Sequence, residues 1–187
     1  MSRRVKDVRS WSNEYLICVC EGNAEEAVIH TLLDVHCLWF ERENLVGRKI
    51  TRKRKAEEIE TEFLQREYEK PVSIARILDS KREQFRLGRL YAKRFSVFNF
   101  YTRPEIEMLL IIAENAFDKY SRSNKSNVKP STFCKEELFK GESIKSLAFW
   151  QSYFADADKL VRAIQEYHRL HNKGDEYDLS YLLKNNV

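Results

Sequence analysis

Short apolar runs alternate with charged, helix-forming stretches along the first two-thirds of the chain. Residues 14–20 (Glu-Tyr-Leu-Ile-Cys-Val-Cys) form a nearly continuous apolar run that stops at Glu21-Gly22, the pattern of a central parallel strand covered on both faces. Asn23 follows as an N-cap, with Glu26 three residues later as in a capping box. Ala24, Ala27, Val28, Ile29, Leu32 and Leu33 then mark a helix running to about Cys37. A charged helical pattern over roughly 53–69 ends before Pro71, and a second strand-like run, 72–78, terminates in Asp79. A basic helix at about 81–93 leads to a third, aromatic-rich run at 95–101.

Thr102 heads the next predicted helix, with Pro104 in its first turn and Glu105 three residues after the cap. Residues 106–113 are apolar almost all round, as in a buried helix. Beyond the polar stretch 121–127 the pattern is helical to the end, most clearly over 144–154 and 156–170. This alternation predicts an α/β fold, a mostly parallel sheet flanked by helices with a helical C-terminal portion. With 187 residues, 43% of them hydrophobic, and only 5 Gly and 3 Pro, the chain suits a single domain over 1–187. Its apolar runs are too short to cross a bilayer and the N-terminus lacks a signal-peptide core, so the expected setting is soluble and cytoplasmic, with no membrane partner. Cys18 and Cys20 share one face of the first strand as small hydrophobes, and Cys37 and Cys134 stand alone. This is neither a disulfide framework nor the paired spacing of a zinc site.

A net charge of +4 conceals a local bias. Seven bases (Arg42, Arg48, Lys49, Arg52, Lys53, Arg54, Lys55) face one acid between 42 and 55. Six more (Lys81, Arg82, Arg86, Arg89, Lys93, Arg94) face one acid between 81 and 94, with Phe85, Tyr91 and Phe95 interleaved. Bases mixed with aromatics suit a groove that tracks a nucleic-acid backbone. They equally suit a solvated face whose rings point inward.

Acids sit where the predicted strands end: Glu21 after the first, Asp79 after the second, Glu105 and Glu107 beyond the third. Glu25, one turn after Glu21, can face the same crevice, which in open α/β sheets lies at the carboxyl ends of the strands. Carboxylates beside bases offer hard oxygen ligands for Mg²⁺ or Mn²⁺, and such an ion activates water for phosphodiester attack. The same acids also have local explanations. Glu25 and Glu26 complement the helix dipole, Asp79 caps a following helix, and Glu105 completes a capping box.

The stretch 16–25, with Glu21-Gly22 and Glu25 after an apolar strand, resembles the Glu-Gly-x-x-Glu signature of Toprim domains, especially the RloB-like group related to OLD-family nucleases. Asp79-Ser80-Lys81 falls where that family carries Asp-x-Asp. The stretch 101–111 is similar to the RloB-like Ser-Asn-Pro-x-Phe-Glu pattern, with Pro104 and Glu107 at its proline and glutamate. The resemblance covers a Toprim-like core at about 14–120 and leaves a helical extension at about 128–187. It implies metal-dependent cleavage of DNA or RNA, with Glu21 and Asp79 catalytic and Glu21, Glu25, Asp79 and Glu107 around Mg²⁺ or Mn²⁺. Arg48, Arg52, Lys53, Arg54, Lys81, Arg82 and Arg86 are the candidate nucleic-acid contacts. By analogy it also implies a subunit of an antiphage defence system with an ATPase partner, and the sequence leaves a homodimer open.

Lys81 departs from the pattern, since it puts a cation where a second anionic ligand is expected. The alternative reading is therefore a catalytically degenerate nucleic-acid-binding or protein-interaction subunit on the same fold. The aromatic stripe Phe149, Trp150, Tyr153 and Phe154 could form an interaction face, but its helical spacing reads better as core.

Overall fold

The computed structural model describes residues 7–81, 84–123, 127–171 and 176–184, with only the backbone of Ser123. Three strands, β1 (Tyr15–Cys20), β2 (Val72–Leu78) and β3 (Ser96–Tyr101), form a parallel sheet in that order. Tyr15 pairs with Val72 and Cys20 with Ile77, while Leu78 pairs with Tyr101. The sheet is covered on both sides, which is why β1 and β2 read as continuous apolar runs rather than alternating ones. Leu16, Cys18, Cys20, Ala75, Ile77, Phe98 and Phe100 face the larger core. Ile17, Val19, Val72 and Ile74 face a smaller one.

Helix α1 (Asn23–Asp34) packs into the larger core. Helix α2 (Ala56–Ile59), prolonged by a π-helical turn at Glu60–Leu64, packs into the smaller through Ile59, Phe63 and Leu64. Between them, Leu45 and Thr51 form parallel bridges with Leu16 and Val19, on the edge of β1 that β2 does not occupy. The Cys20 N–H donates to the Thr51 carbonyl at 3.0 Å, and the Thr51 N–H to Cys18 at 2.9 Å. The chain thus leaves β1 toward one edge by way of one face and returns to β2 by way of the other. Its direction across the sheet reverses at β1, so the ends of β1 and β2 flank the reversal where open α/β sheets form a crevice. At the opposite edge Tyr177 bridges Phe100.

Several element boundaries differ from the sequence reading. Gly22, not Asn23, is the N-cap of α1, and the helix stops at Asp34. The Asn23 amide instead donates to the Lys145 carbonyl at 3.0 Å and its carbonyl accepts from Arg52, so a tertiary contact replaces the cap. The helical pattern of 53–69 is realised only over 56–64, because Ile59, Phe63 and Leu64 are its core contacts. The basic segment has no regular structure over 84–88. Among its described residues it holds one turn, α3 (Arg89–Ala92), while Phe85, Leu87 and Tyr91 fold against the smaller core. Thr102 caps no helix: its N–H donates to the Leu78 carbonyl at 2.9 Å, extending the sheet pairing, and the Arg103-Pro104 peptide that follows is cis.

Helix α4 (Met108–Ala113) begins beyond it and is buried through Ile112. Then come α5 (Phe117–Ser123), α6 (Pro130–Phe133) with a π-helical turn at Cys134–Leu138, α7 (Leu147–Tyr153) and α8 (Ala157–His171). Trp150 and Phe154 are buried, so half of the aromatic stripe is core. Phe149 and Tyr153 stack on each other and meet Phe139 edge-on. Among the described residues no helix is long and apolar enough to cross a membrane.

Candidate functional site

A cavity of about 540 Å³ opens at the carboxyl ends of β1 and β2, lined by Glu21, Glu25, Asp79, Glu105 and Glu107 with Arg52, Arg54 and Lys145 at its border. Glu21 directly follows β1. One of its carboxylate oxygens accepts the Asp79 backbone N–H at 2.8 Å, and the other accepts from Arg54 at 3.2 Å. The register explains this reach, since Cys20 opposite Ile77 puts Glu21 level with the end of β2. The Asp79 carboxylate forms no hydrogen bond or ion pair among the described residues.

Glu25 turns back into the cavity from the first turn of α1. A Cβ on Gly22 would lie 3.1 Å from its Oε2, so glycine leaves room for the returning carboxylate. Glu25 is only 6% exposed and Glu107 7%, and neither forms an ion pair among the described residues. Burial pushes the Glu25 carboxyl above its ordinary range, and the nearby Asp79 charge adds to this. Burial likewise raises Glu107, reinforced by Glu105 and Glu25 and opposed by Lys145. Behind them the Cys134 thiol is pushed up to about 12, first by burial and then by Glu107 and Glu105. The cavity thus gathers five carboxyl side chains against three basic ones, and Arg52 and Arg54 are already engaged by Glu26 and Glu21.

The predicted basic residues divide. Arg52 binds Glu26 at 2.7 and 2.8 Å, and with Arg54 borders the cavity. Lys53 pairs with Glu62 at 2.7 Å, while Arg48 and Arg86 are exposed away from the carboxylates. Lys81 turns to Glu176 and lies 5.8 Å from the centre of the Tyr101 ring, outside the cavity. Arg82 lies outside the described residues. Lys145 escaped the sequence reading because it sits in an ordinary polar segment ahead of α7, far in sequence from every acid it meets. Its only local signal is Ser146, whose side chain accepts from the Phe149 N–H as the α7 N-cap. Glu105 accepts the Ser131 N–H at 2.8 Å, holding the start of α6 against the site rather than completing a capping box.

Carboxylate oxygens are the donors that Mg²⁺ and Mn²⁺ prefer, and Mg²⁺ commonly binds through one or two of them while keeping several waters. Among the described residues no three His, Cys, Asp or Glu side chains form a ready-made cage. The fit rests instead on the hard donor set and on the raised Glu25 and Glu107, whose charged forms a cation would favour. No family model, curated protein or solved structure matches the chain.

Proposed function

We propose that this chain cleaves nucleic-acid phosphodiester bonds with a divalent metal ion bound among Asp79, Glu25, Glu107 and Glu21. The observation that supports this reading most is the meeting of acids from three separate parts of the chain in one cavity beside the β1 reversal. When bound, the ion would lower the pKa of a water and neutralise charge on the phosphate. Asp79, with no protein partner among the described residues, is the first ligand, and the buried Glu25 and Glu107 carboxylates supply further oxygens. Glu21, oriented by the Asp79 N–H and by Arg54, serves as general base toward the attacking water. Arg52 and Lys145 border the same opening and suit a phosphate.

A second reading is favoured by two contacts. Arg54 already neutralises Glu21, and Lys81 stands where a second aspartate would serve, which together suit a degenerate subunit that binds nucleic acid or protein without turnover. Cleavage of labelled single- and double-stranded DNA and RNA in Mg²⁺, Mn²⁺ or EDTA separates the two. The proposed activity requires metal-dependent cutting that Asp79→Asn abolishes; binding without cutting in either metal supports the degenerate subunit.

A further inference from the structure

A second cavity, of about 550 Å³, lies at the end of β3, where Tyr101, Phe117, His171 and Tyr177 present partly exposed rings together with Arg103 and Glu176. Its ring walls are held in place. His171 stacks on Tyr167 with centroids 4.4 Å apart and meets Phe117 edge-on at 5.9 Å. Tyr177 is fixed by its bridge to Phe100 and by an edge contact with Tyr181 at 4.9 Å. The Tyr167 hydroxyl donates to the Arg103 carbonyl at 2.9 Å and accepts the Arg103 N–H at 2.7 Å, which fixes the backbone carrying the guanidinium. Arg103 and Lys81 both bind the Glu176 carboxylate, so a fixed cation and a fixed anion stand beside the rings.

Rings on several sides, with a donor and an acceptor in fixed positions, suit a planar heteroaromatic ligand with polar edges. The volume comfortably exceeds that of one nucleobase. The location is informative too. Tyr101 pairs with Leu78, the residue before Asp79, so the two cavities begin at the ends of adjacent strands about 4.8 Å apart. Lys81, two residues beyond Asp79, spans from the carboxylate side to Tyr101 and Glu176.

We infer that this cavity receives one unstacked base of a single-stranded nucleic acid. The ring walls stack on the base, and Arg103 and Glu176 read its edge. The choice of a nucleic acid as the source of the base rests on the proposed function. The pocket itself is testable without catalysis.

The test uses the full chain in EDTA with a short single-stranded oligodeoxynucleotide carrying one 2-aminopurine, whose fluorescence falls when it stacks. Binding should quench the probe. Tyr177→Ala and Arg103→Ala should each weaken affinity about tenfold, and Tyr177→Ala should also reduce the quenching of the bound probe, as loss of one edge or stacking contact implies. Tyr177→Phe should retain both, and the conservative change together with the exposed Arg103 guards against misreading a folding defect. Quenching and affinity unchanged in both alanine variants, or an abasic nucleotide at the probe position binding equally well, overturns the inference. Quenching that persists in a protein unable to cut in Mg²⁺ or Mn²⁺ leaves the base pocket standing and removes the nuclease reading. Cutting that persists without quenching does the reverse.

Discussion

The Glu21 carboxylate accepts the backbone N–H of Asp79 at 2.8 Å, joining the ends of β1 and β2 through a side chain where their ladder stops. One residue thus both closes the sheet and orients the site. Glu21→Ala should cost about 2 kcal/mol, the usual scale for losing a charge-assisted hydrogen bond to a partly buried partner. Glu21→Gln, which keeps an acceptor oxygen, should lose much less. Denaturant midpoints give the stability difference. Cleavage should fall in both variants, by about 10²-fold or more for loss of a general base.

The buried acids set a pH dependence. The unfolding free energy changes with pH as protons bound by the unfolded chain minus those bound by the native one. Glu25 and Glu107 have raised carboxyls when folded, so between the ordinary value of 4.5 and the raised one the native state holds more protons. Their contribution therefore turns unfavourable as pH rises through that window. In EDTA, Glu107→Gln should flatten the decline and stabilise the protein near neutrality, measured by thermal melting from acid to neutral pH. A melting profile that keeps its wild-type slope would contradict the assignment.

A divalent ion should reverse that penalty. At neutral pH, millimolar Mn²⁺ should raise the melting temperature of the wild type, because a ligand that binds only the folded state stabilises it. The shift should vanish in Asp79→Asn. Equal shifts in the two proteins would place the ion elsewhere.

Lys81 is held by Glu176 outside the carboxylate cavity and half of its side chain is exposed. Lys81→Ala should therefore change stability by less than about 1 kcal/mol, as for other surface ion pairs, and leave metal-dependent cleavage within a few-fold. Loss of cleavage with normal Mn²⁺ binding would show instead that the ammonium reaches the substrate.

Arg52 and Arg54 border the cavity, while Lys53 between them pairs with Glu62 on the π-helical turn that prolongs α2. Neutralising Arg52 should make the dependence of nucleic-acid affinity on salt shallower by about one phosphate contact, and neutralising Lys53 should leave it unchanged. Titrations at several salt concentrations check both.

The strands and the acids that end them were legible because an apolar run covered on both faces has little else to be, and a parallel ladder aligns the residues that follow it. Glu21, Glu25, Asp79 and Glu107 accordingly meet as their positions implied. The basic runs were not legible in the same way. A cation's direction depends on which distant acid claims it, as Glu62 claims Lys53 and Glu176 claims Lys81. Helix starts failed for a related reason: Asn23 carries good capping chemistry, but Lys145 and Arg52 claim its side chain, and the Thr102 backbone is drawn into the sheet by its N–H bond to the Leu78 carbonyl. The ring-walled cavity had no local signature, because Tyr101, Phe117, His171 and Tyr177 come from four separated segments.

The most direct test of a metal held against the scissile phosphate is a substrate with a single phosphorothioate, separated into its two stereoisomers. Sulfur at the metal-contacting position binds Mg²⁺ poorly and the softer Mn²⁺ better. One isomer should be cut slowly in Mg²⁺ and recover in Mn²⁺, with Asp79→Asn inactive in both. Equal cutting of both isomers in both metals, or cutting that survives EDTA, would contradict the account.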